Sequence, residues 1–183
     1  MSATVCINDG DTHNSPVEAC EAKAPLLIVQ RALRQDSGGA GQWRGGLGVI
    51  QEVRVLTPAM FDSRVERTLC PPWGLHGSKA ASPNGVYVVR KEGVVERFPT
   101  GKVNPLRLDQ GDGYAVETGG GGGFGDPLER PAEQVLRDVT SGYVSLGAAR
   151  RGYGVVIHMR GRHCELDVEA TAALRRELAR QQA

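Results

Sequence analysis

Ser37-Gly38-Gly39-Ala40-Gly41-Gln42-Trp43-Arg44-Gly45-Gly46-Leu47-Gly48 runs straight into Val49-Ile50-Gln51-Glu52-Val53-Arg54-Val55-Leu56, and the fold turns on how this stretch is read. In its second half Val49, Gln51, Val53 and Val55 alternate with Ile50, Glu52 and Arg54. A two-residue period over that length describes a strand with one buried face. Its first half is a glycine-rich loop that feeds a strand. A phosphate-binding loop does the reverse: it follows a strand, opens a helix and carries Gly-Lys-Ser or Gly-Lys-Thr, neither of which occurs in this chain. The loop is therefore structural or interfacial in this reading, a place where missing side chains let another backbone or a ligand come close.

Working outward, Thr4 to Asn8 is a short β-like run. Pro16 opens a helix over Val17 to Lys23, with Glu18 and Glu21 near its positive end and Pro25 as its stop. Leu26 to Leu33, Phe61 to Leu69, Val86 to Arg90, Val94 to Phe98, Val103 to Leu108 and Gly113 to Thr118 read as further strands. Glu92-Gly93 makes a hairpin of the third and fourth of these, and Asp109-Gln110-Gly111-Asp112 separates the last two. Beyond Gly119 the period lengthens. Asp126-Pro127-Leu128-Glu129 is a helix start leading to a stripe of Val135, Leu136 and Val139, with Gly142 as its stop. Ser145 caps a second helix through Arg151, ended by Gly152, Val155 to Met159 is a last strand, and Asp167 caps a helix over Val168 to Gln182. The fold class is α+β in a single domain. Residues 1–118 form a β-rich body of short strands with glycine-rich loops, and residues 119–183 a glycine loop and helical tail ending in a C-terminal helix.

Composition bounds the function. The chain has 183 residues, 40% of them hydrophobic and 5% aromatic, so it is long enough to bury an aliphatic core. Its 22 Lys and Arg against 21 Asp and Glu leave a formal net charge of +1, which gives no electrostatic warrant for nucleic-acid or anionic-membrane binding. No apolar run approaches the ~20 residues of a membrane span, and Met1 to Val5 is not a signal peptide, so the expected compartment is the cytoplasm. Cys6, Cys20, Cys70 and Cys164 are widely spaced and read as reduced, mostly buried thiols.

Few residues offer chemistry. Gly120, Gly122 and Gly125 match Gly-x-Gly-x-x-Gly, but a run of five glycines makes that match almost unavoidable and the surroundings are not βαβ. Asp9, Asp11, His13 and Asn14 share one turn-rich stretch, where carboxylate and imidazole together can hold a divalent ion or organise a proton transfer. The same residues build turns through side-chain to backbone bonds, and both readings stay open. His76, His158 and His163 are isolated, no Gly-x-Ser-x-Gly elbow is present, and Cys70 precedes two prolines rather than a helix that would activate it.

Five ordered blocks nevertheless carry a resemblance: Val5 to Glu18 (VCINDGDTHNSPVE), Asp36 to Gly48 (DSGGAGQWRGGLG), Cys70 to Leu75 (CPPWGL), Glu117 to Glu129 (ETGGGGGFGDPLE), and Gly142 to Ser145 with Tyr153 to Val156. Together they resemble the C-terminal part of the hydantoinase B and oxoprolinase family, to which subunits of acetone and acetophenone carboxylases are related. The resemblance implies an ATP-dependent complex. In it a hydantoinase A type partner phosphorylates the substrate and the hydantoinase B type subunit completes the opening of a cyclic amide or, in the carboxylases, forms a carbon-carbon bond. It further implies that ATP and a divalent metal serve the complex, with no cofactor assigned to this chain. The implied partners are the hydantoinase A type subunit and the N-terminal part of a hydantoinase B type subunit. On this expectation Asp11, His13 and Asn14 are the catalytic candidates, lining a shared cleft, and the two glycine loops pack on the companion polypeptide. The alternatives are a small subunit of an acetone or acetophenone type carboxylase and a non-catalytic interaction fragment.

Overall fold

The computed structural model describes residues 15–161 and 163–182, so the β-like run at Thr4 to Asn8 lies outside the described residues. Helix α1 (Val17–Lys23) begins at Pro16 and ends at Ala24, which is extended, as a residue before proline must be. Strand β1 (Leu26–Leu33) follows at once. It pairs antiparallel with β2 (Val49–Val55), and a bulge interrupts the register between Ile28 and Gln30. The Glu21 carboxylate on α1 accepts the Ile28 N–H at 2.8 Å, so the helix engages a donor of the strand beside the bulge.

The remaining strands of the body are β3 (Ala59–Arg64), β4 (Gly85–Val89), β5 (Val95–Arg97), β6 (Lys102–Leu108) and β7 (Gly113–Glu117). Five of them form one antiparallel sheet in the order β1-β2-β7-β4-β5, and β3 pairs with β6 as a separate ribbon. Alternation along β2 is as the sequence demands, with Val53 and Val55 buried and Arg54 exposed. Val55, Val86 and Val88 from the sheet meet Phe61, Val103 and Leu108 from the ribbon in the first core. Phe61 stacks on Tyr114 there, ring centroids 4.6 Å apart. Each such side chain contributes roughly 1.5–3 kcal/mol of transfer free energy.

The tail follows as α2 (Ala132–Thr140), α3 (Leu146–Tyr153), β8 (Val156–Arg160), β9 (His163–Asp167) and α4 (Val168–Gln182). A second core joins Val135 of α2, Val144 in the turn before α3, Ala149 and Tyr153 of α3, and Val155 beside β8. The overall class is the α+β, strand-rich one expected, with four corrections. The strand foreseen over Phe61 to Leu69 begins at Ala59 and ends at Arg64, and Arg67 takes φ of 53° in the loop beyond. The helix foreseen from Asp126 to Gly142 is broken. Asp126 does cap a start, accepting the Leu128 N–H at 2.8 Å, but only a 3-10 turn at Pro127–Glu129 forms, because Arg130 must be extended before Pro131. Helix α3 runs past Gly152 and stops at Gly154, which has φ of 62°. Strand β9 was not foreseen; it pairs with β8 across a turn at Gly161, whose φ is 63°. Of the cysteines among the described residues, Cys20, Cys70 and Cys164 are free thiols, but Cys70 is exposed and the other two only half-buried, since none projects into either core.

Candidate functional site

The two glycine loops, expected to pack on a companion polypeptide, also pack on each other within this chain. Gly39 donates its N–H to the Gly121 carbonyl at 2.9 Å and Gly121 donates to Gly46 at 2.8 Å. Trp43 and Phe124 exchange both backbone bonds, at 2.9 and 3.0 Å. A third segment, residues 72–82, threads between them: Lys79 donates to Ala40, Gly123 to Lys79, Leu75 to Gly123 and Gly125 to Leu75. Such interlacing requires glycine for close approach. A Cβ on Gly45 would strike the Gly121 carbonyl, one on Gly122 the Trp73 carbonyl, and one on Gly123 would lie 2.6 Å from the Ala40 oxygen, although none of these glycines has positive φ. The N–H groups of Gly121, Gly123, Phe124 and Gly125 all meet backbone carbonyls and that of Gly119 meets the Asn84 side chain, so the loop is a platform and not a phosphate cradle.

Beneath the platform lies a buried ion cluster. Asp138 of α2 accepts from Arg44 Nε at 3.3 Å and from Arg130 Nη2 at 2.9 Å through the same Oδ2 oxygen. Arg44 donates also to the Gly45 carbonyl at 2.7 Å and Arg130 to the Gln42 carbonyl at 3.0 Å, which ties α2 to the first glycine loop. Two guanidiniums share one carboxylate, so the cluster carries an excess positive charge.

A cleft of about 350 Å³ opens between the first glycine loop, residues 79–80 and α3. Asp36 lines its rim with φ of 59°, held by accepting the Ser145 N–H at 2.8 Å and by donating its own N–H to the Tyr143 carbonyl. The Arg44 guanidinium lies 5.6 Å from the centroid of the Tyr143 ring, within cation–π reach. Lys79 and Arg151 complete the charged lining. At the floor Tyr153 is 2% exposed, and burial pushes its phenol up to about 12, so at neutral pH it is a hydrogen-bond donor.

Asp11, His13 and Asn14 lie outside the described residues. The isolated histidines stay apart: His158 Nε2 sits 3.3 Å from Asp167, His76 packs against the Phe124 ring at 4.7 Å, and His163 is exposed on β9. Among the described residues no group of three or more His, Cys, Asp or Glu side chains is placed to hold a metal ion. The described residues therefore offer no ligand set for the divalent metal implied for the complex. Sequence reasoning missed the cleft because Arg44, Lys79 and Arg151 are far apart in the chain. A cation set alone inside a glycine run, Arg44, was the only local signal.

On its outer face the platform carries an aromatic patch. The bridges of Phe124 to Trp43 and to Leu75 place all three side chains on one side, and Trp43 is 62%, Leu75 53% and Phe124 46% exposed. Trp73, 70% exposed, stands on the same interlaced backbone. Among the described residues no helix is long and apolar enough to cross a membrane.

An interlaced glycine platform beside a β-rich body and a helical tail defines a recognisable class. The sequence profile of the Hydantoinase B/oxoprolinase family matches residues 1–127, and the chain belongs to that family. It is 37% identical over 174 residues to the caprolactamase subunit beta of Pseudomonas jessenii, covering 91% of this chain and 29% of that protein. An uncharacterized protein of Methanocaldococcus jannaschii is 35% identical over 162 residues, 88% of this chain and 28% of its own length. Among solved structures, the ATP-dependent caprolactamase of Pseudomonas jessenii superposes with a TM-score of 0.77 at 36% identity, over 88% of this chain and 28% of the other. The nucleotide-free acetone carboxylase superposes with a TM-score of 0.82 over 92% of this chain and 26% of the other, at 23% identity, a likeness of fold. The chain thus spans less than a third of the length of these relatives.

Proposed function

We propose that this chain is the C-terminal component of an ATP-dependent enzyme of the hydantoinase and oxoprolinase type that opens cyclic amides. In this reading it assembles with a hydantoinase A type subunit and with a polypeptide supplying the N-terminal part of a hydantoinase B type subunit. The observation that carries the reading is the exposed patch of Trp43, Trp73, Leu75 and Phe124 on a platform stiffened by interlocked backbone. Large apolar side chains held rigidly in water mark an interaction surface, because little conformational entropy remains to be lost when they are covered. In a chain matching only 29% of a caprolactamase subunit, the natural cover is the remainder of such a subunit.

A hydrolase is favoured over a carboxylase because identity to the caprolactamase structure is 36%, whereas the acetone carboxylase likeness is one of fold. Co-expression with the N-terminal part of a hydantoinase B type subunit tests the assembly. The chain is expected to co-purify with it, and Trp43→Ser with Trp73→Ser is expected to release it without loss of folding. A chain that purifies alone in both forms contradicts the reading. Asp11, His13 and Asn14 are proposed to line the shared cleft, and Asp11→Asn with His13→Gln should abolish turnover of the assembled enzyme. Unchanged turnover would remove them from the mechanism.

A further inference from the structure

We propose that the cleft between the first glycine loop, residues 79–80 and α3 binds a small organic oxyanion, a carboxylate or phosphate carried on a compact apolar body. Its charged lining is three cations, Arg44, Lys79 and Arg151, against one carboxylate, Asp36. One Asp36 oxygen already accepts the Ser145 N–H, and the Asp138 carboxylate behind Arg44 is shared with Arg130. The balance facing the opening is therefore positive. The Arg44 side chain, 6% exposed, acts through a lower dielectric than water, while Lys79 and Arg151 stand exposed at the opening.

The donors are also free. Lys79 and Arg151 have no side-chain acceptor among the described residues, and Arg44 uses Nε and Nη1 but not Nη2. Tyr153, 2% exposed, lines the floor of the cleft. The rest of the lining is apolar or aromatic, from Ala40, Leu47, Ala148 and the Tyr143 ring, and about 350 Å³ accommodates a molecule of roughly ring size.

All of these groups belong to this chain, so the full 183-residue protein suffices for the test. Benzoate, its neutral isostere benzamide, and inorganic phosphate would each be titrated into isotope-labelled protein, following amide shifts at Tyr143, Ala148 and Gly152. Benzoate or phosphate is expected to shift these amides at least tenfold more tightly than benzamide, and which of the two binds better separates a carboxylate from a phosphate site. Lys79→Met with Arg151→Met, both at exposed positions, should abolish the shifts with the melting temperature retained. Equal affinity for benzamide, shifts that survive the double substitution, or none at these amides would overturn the proposal.

Discussion

Gly45 has room for a hydrogen and nothing larger, because the carbonyl it faces belongs to the backbone of Gly121 and cannot rotate away as a side chain would. Gly45→Ala is expected to destabilise the protein by about 1–3 kcal/mol or more. Gly152 differs: it sits inside α3 with only the Ala40 methyl at 3.6 Å from an added Cβ. Gly152→Ala should stabilise by about 0.5–1 kcal/mol through helix propensity and reduced unfolded-state entropy. Urea unfolding of both variants checks this, and shifts of the same sign would refute the platform. Asp138→Asn should cost about 3–5 kcal/mol, because it strands two guanidiniums that are 6% and 10% exposed. A loss below about 1 kcal/mol would mean that water already serves the cluster. That the loops need close approach was legible from glycine content alone. Which backbone approaches was not, since contacts such as Gly45 with Gly121 depend on the whole fold.

At the scale of elements, legibility followed the strength of local rules. Strand β1 was bounded by Pro25 and by its apolar run, β2 by its alternation, and α4 by the Asp167 cap, which accepts the Ala170 N–H at 2.9 Å. The failures have local physical causes too. Pro131 forces Arg130 out of the helical region, an effect outweighed in the sequence reading by the start signal at Asp126-Pro127. Strand β9 is five residues with charged and sulfur side chains, and it forms because it pairs with β8, not because its own pattern is strand-like. The cap at Asp167 has a pH signature. The Ala170 N–H first, and His158 second, hold its carboxyl below the usual value. A depressed folded-state value means that the stabilisation is present above the unfolded value of about 3.9 and is lost as pH falls through the lower folded one. Thermal melts between pH 2 and pH 6 should therefore fall less steeply at the acid end in Asp167→Asn than in the parent. Parallel curves would show that the cap does not titrate with folding.

Over the whole molecule, two cores hold a β-rich body and a helical tail together through the glycine platform, where residues 37–48, 72–82 and 119–125 meet. The platform turns an aromatic patch outward and borders a cationic cleft. The family was legible in the sequence from five ordered blocks, of which those at 36–48, 70–75 and 117–129 fall on the platform segments and those at 142–145 and 153–156 on the turns around α3. The catalytic candidates Asp11, His13 and Asn14 were legible only as residue types in a turn-rich stretch. The central claim is that this chain completes a larger enzyme. It is tested most directly by co-expressing it with the N-terminal part of a hydantoinase B type subunit and with a hydantoinase A type subunit. ATP- and substrate-dependent opening of a cyclic amide is then measured with and without this chain. Strict dependence of product formation on the chain is the predicted result, and undiminished turnover in its absence would contradict the account.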